Sequence, residues 1–164
     1  MVRTTLDDAK TWFLHGIAYQ DELQIIVAEG IESDQPEKIR FGDKDLSEGF
    51  RLDITDRSRF IDIRFPPVVA WQVVDESYSE FDDYEEGDKG FIRVLERSRY
   101  FDYVKKSHDL FEAIIGPAKH YRIWTENEVI DVIACEAPAV ESWEGEHLIA
   151  RSRTTRTDSW RAPG

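Results

Sequence analysis

The sequence predicts a mainly β (α+β) fold: a single domain of antiparallel strands, curved or sandwich-like, with one helix near residues 98–112. Three observations predict it. Apolar residues alternate with polar ones in run after run, which is the period of a half-buried strand. The connections between these runs are short and rich in turn residues, too short for the crossover helices of a parallel sheet. Only the stretch after Glu96 changes to helical spacing.

Taken in order, Thr11 to Ala18 and Glu22 to Gly30 read as strands joined through Tyr19-Gln20-Asp21, a hairpin. Ile31 to Lys38 carries Ser33, Asp34 and Pro36 and predicts a loop, followed by a brief strand at Ile39 to Phe41. Phe50, Leu52 and Ile54 alternate with Arg51 and Asp53, and Ile61, Ile63 and Phe65 with Asp62 and Arg64, giving two strands with one wet face each. Pro66-Pro67 interrupts the chain, because proline lacks the ladder N–H. Val68 to Val74 is apolar on both faces, which predicts a central strand with Trp71 and Val73 buried. Gly87 and Gly90 allow a turn, and GFIRVLE predicts a strand returning beside the Val68 strand.

Ser98 is a good N-cap, with Tyr100, Phe101, Val104 and Phe111 at helical spacing behind it, and Gly116-Pro117 ends the helix. HYRIWTENEVIDVIACE predicts a second hairpin: a strand to Trp124, a turn at Glu126-Asn127, and a strand from Val129 to Cys135. Beyond Pro138, VESWEGEHLIA fits either one more short strand or an edge cover. Residues 1–150 are therefore expected to form the domain, and 151–164 a basic, mobile tail. That tail holds four arginines and one aspartate, a local charge of +3 against −16 for the rest.

Composition narrows the partners. A net charge of −13 and a pI near 4.7 argue against nucleic acid and anionic membranes, whose binding relies on Lys and Arg. The single cysteine, Cys135, excludes an internal disulfide and lies in an apolar run that predicts a buried, inert thiol. The start of the chain shows no apolar leader and no run reaches the ~18 apolar residues of a spanning helix, so a cytoplasmic location is expected.

No Gly-rich phosphate loop, HExxH, paired CxxC, GxSxG or EF-hand loop occurs, and His15, His108, His120 and His147 are scattered. No cofactor, no metal and no catalytic residue is expected on that basis. Two other constellations stand out. Between Asp75 and Asp88 lie eight acids and no base. Such a run repels itself and belongs in solvent unless a cation meets it. Tyr78, Phe81 and Tyr84 are spaced through it like interface anchors. Asp75, Glu76, Glu80, Asp82, Asp83, Glu85 and Glu86 with those aromatics form the candidate surface for a basic protein partner. The same run also reads as a merely solvated loop, and its abundant oxygens as a calcium site lacking the spacing of a dedicated loop. The alternative constellation is a small-ligand or catalytic pocket: His120, Arg122 and Trp124 share one strand face, and Asp131 can meet them across the hairpin. A structural hydrogen-bond cluster satisfies the same pattern.

Through VAWQVVDESY, ERSRYFDYV and HYRIWTENEVIDVIACEAP the chain resembles a group of uncharacterised bacterial proteins of similar length, over about Val68 to Val140. In these a W/Y-Q-V-x-[DN]-E-S-[YF] strand precedes an S-R-[YF]-x-[DE]-Y helix and an H-Y-x-[IL] strand. The resemblance implies no activity. In its small, acidic, motif-poor character the chain is also similar to immunity proteins of bacterial toxin systems, which implies a protein partner and no catalysis.

Overall fold

Strands β1 (Trp12–Tyr19) and β2 (Leu23–Glu29) form the expected antiparallel hairpin, with a register shift between Leu14 and Gly16. The computed structural model describes residue 6 and residues 11–145. The expected basic segment 151–164 and the last residues of the expected domain lie outside the described residues. Short strand β3 (Ile31–Glu32) follows, then β4 (Glu37–Phe41) and β5 (Lys44–Gly49), which pair as a separate hairpin. The expected strand through Phe50 to Ile54 is reduced to β6 (Leu52–Asp53), paired with β3, and leaves Phe50 and Ile54 exposed.

Next come β7 (Arg59–Phe65), β8 (Val68–Asp75), β9 (Glu86–Gly87), β10 (Ile92–Arg97), β11 (Lys119–Trp124), β12 (Glu128–Ala134) and β13 (Ala139–Glu144). The stretch after Pro138 is thus a strand, paired antiparallel with β7. Two principal sheets result, ordered β1-β2-β7-β13 and β8-β12-β11-β10-β9.

The alternation on each strand decides how these sheets meet. Leu23, Ile25 and Val27 of β2 and Ile61, Ile63 and Phe65 of β7 share one buried cluster with Ile92, Tyr121, Ile123, Ile130 and Val132 of the other sheet. The sheets are therefore stacked over a common core. Each such side chain contributes about 1.5–3 kcal/mol when fully buried.

The helical segment packs on the far face of the five-stranded sheet. It is broken in two: α1 (Arg99–Ser107) and α2 (Leu110–Ile115). Ser98 caps α1 as expected, its Oγ accepting from the Phe101 N–H, and the N–H of His108 closes the last turn onto the Val104 carbonyl. Phe101, Val104 and Phe111 then cover Ile133 of β12. Gly116 ends α2 with a φ of 93°, a left-handed conformation that glycine adopts without strain.

One expectation is corrected here. The Val68 strand is not central: β8 lies at the edge of its sheet, and Trp71 and Val73 are each 37% exposed. The returning strand β10 does not lie beside it, because β12 and β11 intervene.

Candidate binding site on the outer face of the five-stranded sheet

Register builds the site. Across the outer face, Gln72 of β8, Asp131 of β12 and Arg122 of β11 stand in one row, and Ile133, His120 and Leu95 in the next. His120, Arg122 and Asp131 therefore converge as expected, while Trp124 lies two residues further along β11.

Asp131 is the hub. Its Oδ2 accepts from Gln72 Nε2 at 2.9 Å, and its Oδ1 from Arg122 Nε at 2.6 Å and His120 Nε2 at 2.8 Å. Burial pushes its pKa up, but the hydrogen bonds and charges of His120 and Arg122 reverse this and hold it at about 2. An ionised carboxylate only accepts, so His120 Nε2 carries a hydrogen. Nδ1 of the same ring lies 2.6 Å from the Ser98 Oγ, and the Tyr100 ring meets the imidazole edge to face at 5.7 Å. The buried network thus runs from β8 through β12 and β11 to the cap of α1.

Ser98, His120 and Asp131 are in the order of a nucleophilic triad, yet the arrangement lacks access. They are 1%, 0% and 2% exposed, and the Ser98 hydroxyl already accepts the Phe101 N–H. An acyl-transfer nucleophile must touch its substrate. What the network does chemically is fix the start of α1 against two strands.

The acidic run lies above this network, and the cations that meet it belong to the same chain. Arg122 donates through both terminal nitrogens to Glu85, Arg99 to Asp82, and Arg97 to Glu86. Burial lowers the pKa of Arg122, but the hydrogen bonds it donates to Asp131 and Glu85, with their charges, outweigh this and raise it, and the Arg99 hydrogen bond lowers that of Asp82. Tyr84 lies under the guanidinium carbons of Arg97 and Arg99 at 4.8 and 4.9 Å, and its hydroxyl donates to Asp102 at 2.6 Å. Asp75 accepts the Ser77 N–H and so opens the 3-10 turn Glu76–Tyr78.

The ten residues of the expected partner surface therefore divide. Asp82, Tyr84, Glu85 and Glu86 clamp the loop to the body. Tyr78 and Phe81, 83% and 81% exposed, point outward with Glu80 and Asp83, while Glu76 is half-buried. Arg97 and Arg99 are the neighbours of the loop that sequence reasoning missed, and Ser98, expected only as a helix cap, also meets His120. The signal was the RSR block, whose two arginines flank Ser98 and meet an acid run that lacks any base.

Arg122, Trp124 and Asp131 do line a cleft, of about 230 Å³, with Tyr100 and Glu85, but His120 does not reach it. A cleft this size is below the ~300 Å³ at which small-molecule pockets begin. Among the described residues, no group of three or more His, Cys, Asp or Glu is placed to hold a metal ion, and no helix is long and apolar enough to cross a membrane.

Compared with known proteins, the chain is matched by no family model, no curated protein and no solved structure.

Proposed function

We propose that this protein is a non-enzymatic binding protein, of the immunity or antitoxin type, that presents the loop around Tyr78 and Phe81 to a basic protein surface. One observation carries the reading: two large aromatic side chains stand almost fully exposed on a loop that three arginine–carboxylate pairs hold to the body. An exposed aromatic on a mobile loop loses much of its binding energy to ordering, whereas a clamped loop has that ordering already made. Glu80 and Asp83 beside the aromatics supply the charge that steers a basic partner.

The test separates anchors from steering. With a partner captured and identified by mass spectrometry, Tyr78→Ala and Phe81→Ala are expected to speed dissociation by the equivalent of ~2 kcal/mol for a true hot spot. Glu80→Gln with Asp83→Asn is expected to slow association and flatten its salt dependence. Wild-type kinetics in both variants would sink the proposal.

A further inference from the structure

A groove of about 990 Å³ lies on the opposite side, on the outer face of the four-stranded sheet. Asp62 of β7 stands in its floor, 4% exposed, directly across from Glu141 of β13. Its Oδ2 accepts from Gln24 Nε2 at 2.8 Å and from Arg64 Nη2 at 2.7 Å. Among the described residues its Oδ1 is buried without a partner, and so is the indole Nε1 of Trp143, which also lines the groove.

A buried carboxylate oxygen without a hydrogen bond is costly, and like charges directly opposite across a strand pair add to that cost. The groove walls carry Asp21, Glu22, Asp62 and Glu141 against Arg64 alone, a balance of −3. What the groove lacks, among the described residues, is a cation beyond Arg64 to balance its acids. A guanidinium fits that need, because its planar fork of N–H groups matches carboxylate geometry.

We infer that the groove is a binding site for arginine side chains, and that its occupant is the arginine-rich segment 151–164 of this same chain. The segment's charge of +3 complements the groove. The connection also favours it: β13, whose Glu141 and Trp143 form one wall, ends at Glu144, and Gly145 turns the chain with a φ of 80°. Five residues lie between Gly145 and Arg151, and the six steps span up to ~20 Å, while Glu141 lies only ~13 Å back along the strand from Gly145. Tethering at that distance gives millimolar effective concentrations, so weak single contacts suffice.

The experiment uses the full chain and the nuclear magnetic resonance signals of the groove, above all the Trp143 indole N–H and the amides of Gln24, Asp62 and Glu141. Replacing Arg151, Arg153 and Arg156 together by Ser is expected to shift these signals and leave those of β11 and β12 in place. A peptide of sequence 151–164, added to that variant, is expected to return them toward wild type. It is also expected to fail after Glu141→Gln or Asp62→Asn, the first being exposed and safe for folding. Raising the ionic strength to about 1 M, where the Debye length is about 3 Å, should release the segment in the same way. Groove signals indifferent to the three Ser substitutions would overturn the inference. So would shifts that appear only as protein concentration rises, since the segment would then occupy a neighbour.

Discussion

Asp131 holds a carboxylate at a pKa of about 2 where an ordinary aspartate has 3.8. A depressed folded-state pKa means stability that is present above the unfolded value and lost as the pH falls through the folded one. The window is therefore pH 4 down to pH 2, and the shift corresponds to roughly 2 kcal/mol. Asp131→Asn is expected to remove this part of the acid sensitivity: urea midpoints of wild type and variant should converge as the pH drops from 4 to 2. Parallel curves across that range would show that the hub does not titrate as described. Cys135 is the second residue whose setting decides its behaviour. It is half-buried instead of enclosed, with its Sγ 3.6 Å from the Gly116 carbonyl oxygen. Burial and the charge of Glu136 push the thiol up, so a scarce thiolate, more than shielding, is expected to slow its reactions. Its reaction with a thiol reagent should be slow at pH 7 and climb steadily toward pH 10; a plateau already reached at pH 7 would contradict this.

At the scale of elements, β8 shows what an apolar run does and does not encode. Alternation names the face of a strand that is buried, and the strands β1, β2, β7, β11 and β12 were legible from it within a residue or two. It does not name the neighbours, so a run apolar on both faces reads the same at an edge as at the centre. Trp71 instead leans toward Tyr19 at 6.5 Å between ring centroids. With over a third of its surface exposed, Trp71→Ala is expected to destabilise by only about 1–2 kcal/mol, whereas Ile130→Ala in the adjacent β12 should lose about 2–5 kcal/mol. Equal losses in urea melts would return β8 to the centre. The convergence of His120, Arg122 and Asp131 was legible for the same reason, since it follows from hairpin register. The clamping arginines were not, because Arg122 and Glu85 are 37 residues apart and Arg99 and Asp82 are 17 apart. Nor was the need for glycine at 87, where a Cβ would meet the Leu95 side chain and the Val94 carbonyl oxygen at 2.6 Å.

For the molecule as a whole, the acid excess is not spread as a uniform repulsive shell. Taken alone, the self-repulsion of the run Asp75 to Asp88 predicts that amides there leave stability the same or higher. The structure separates two groups within that run. Glu80 and Asp83 face solvent and should behave that way, gaining slightly or not at all. Glu85 is different: its side chain is 14% exposed and it shares Arg122, itself 11% exposed, with Asp131. Removing a charge from a hydrogen-bonded, mostly enclosed pair loses more than repulsion relief returns. Glu85→Gln is therefore expected to destabilise by roughly 2 kcal/mol. Because Arg122 links the loop to β12, whose other face lies in the core shared by both sheets, that loss should lower a single cooperative transition. Far-ultraviolet and near-ultraviolet circular dichroism should report the same midpoint, lowered together in Glu85→Gln and unchanged in Glu80→Gln with Asp83→Asn. A loop melting ahead of the sheets in the wild-type protein would show that the clamp does not couple the aromatic anchors to the fold, and with it the preorganised surface would be lost.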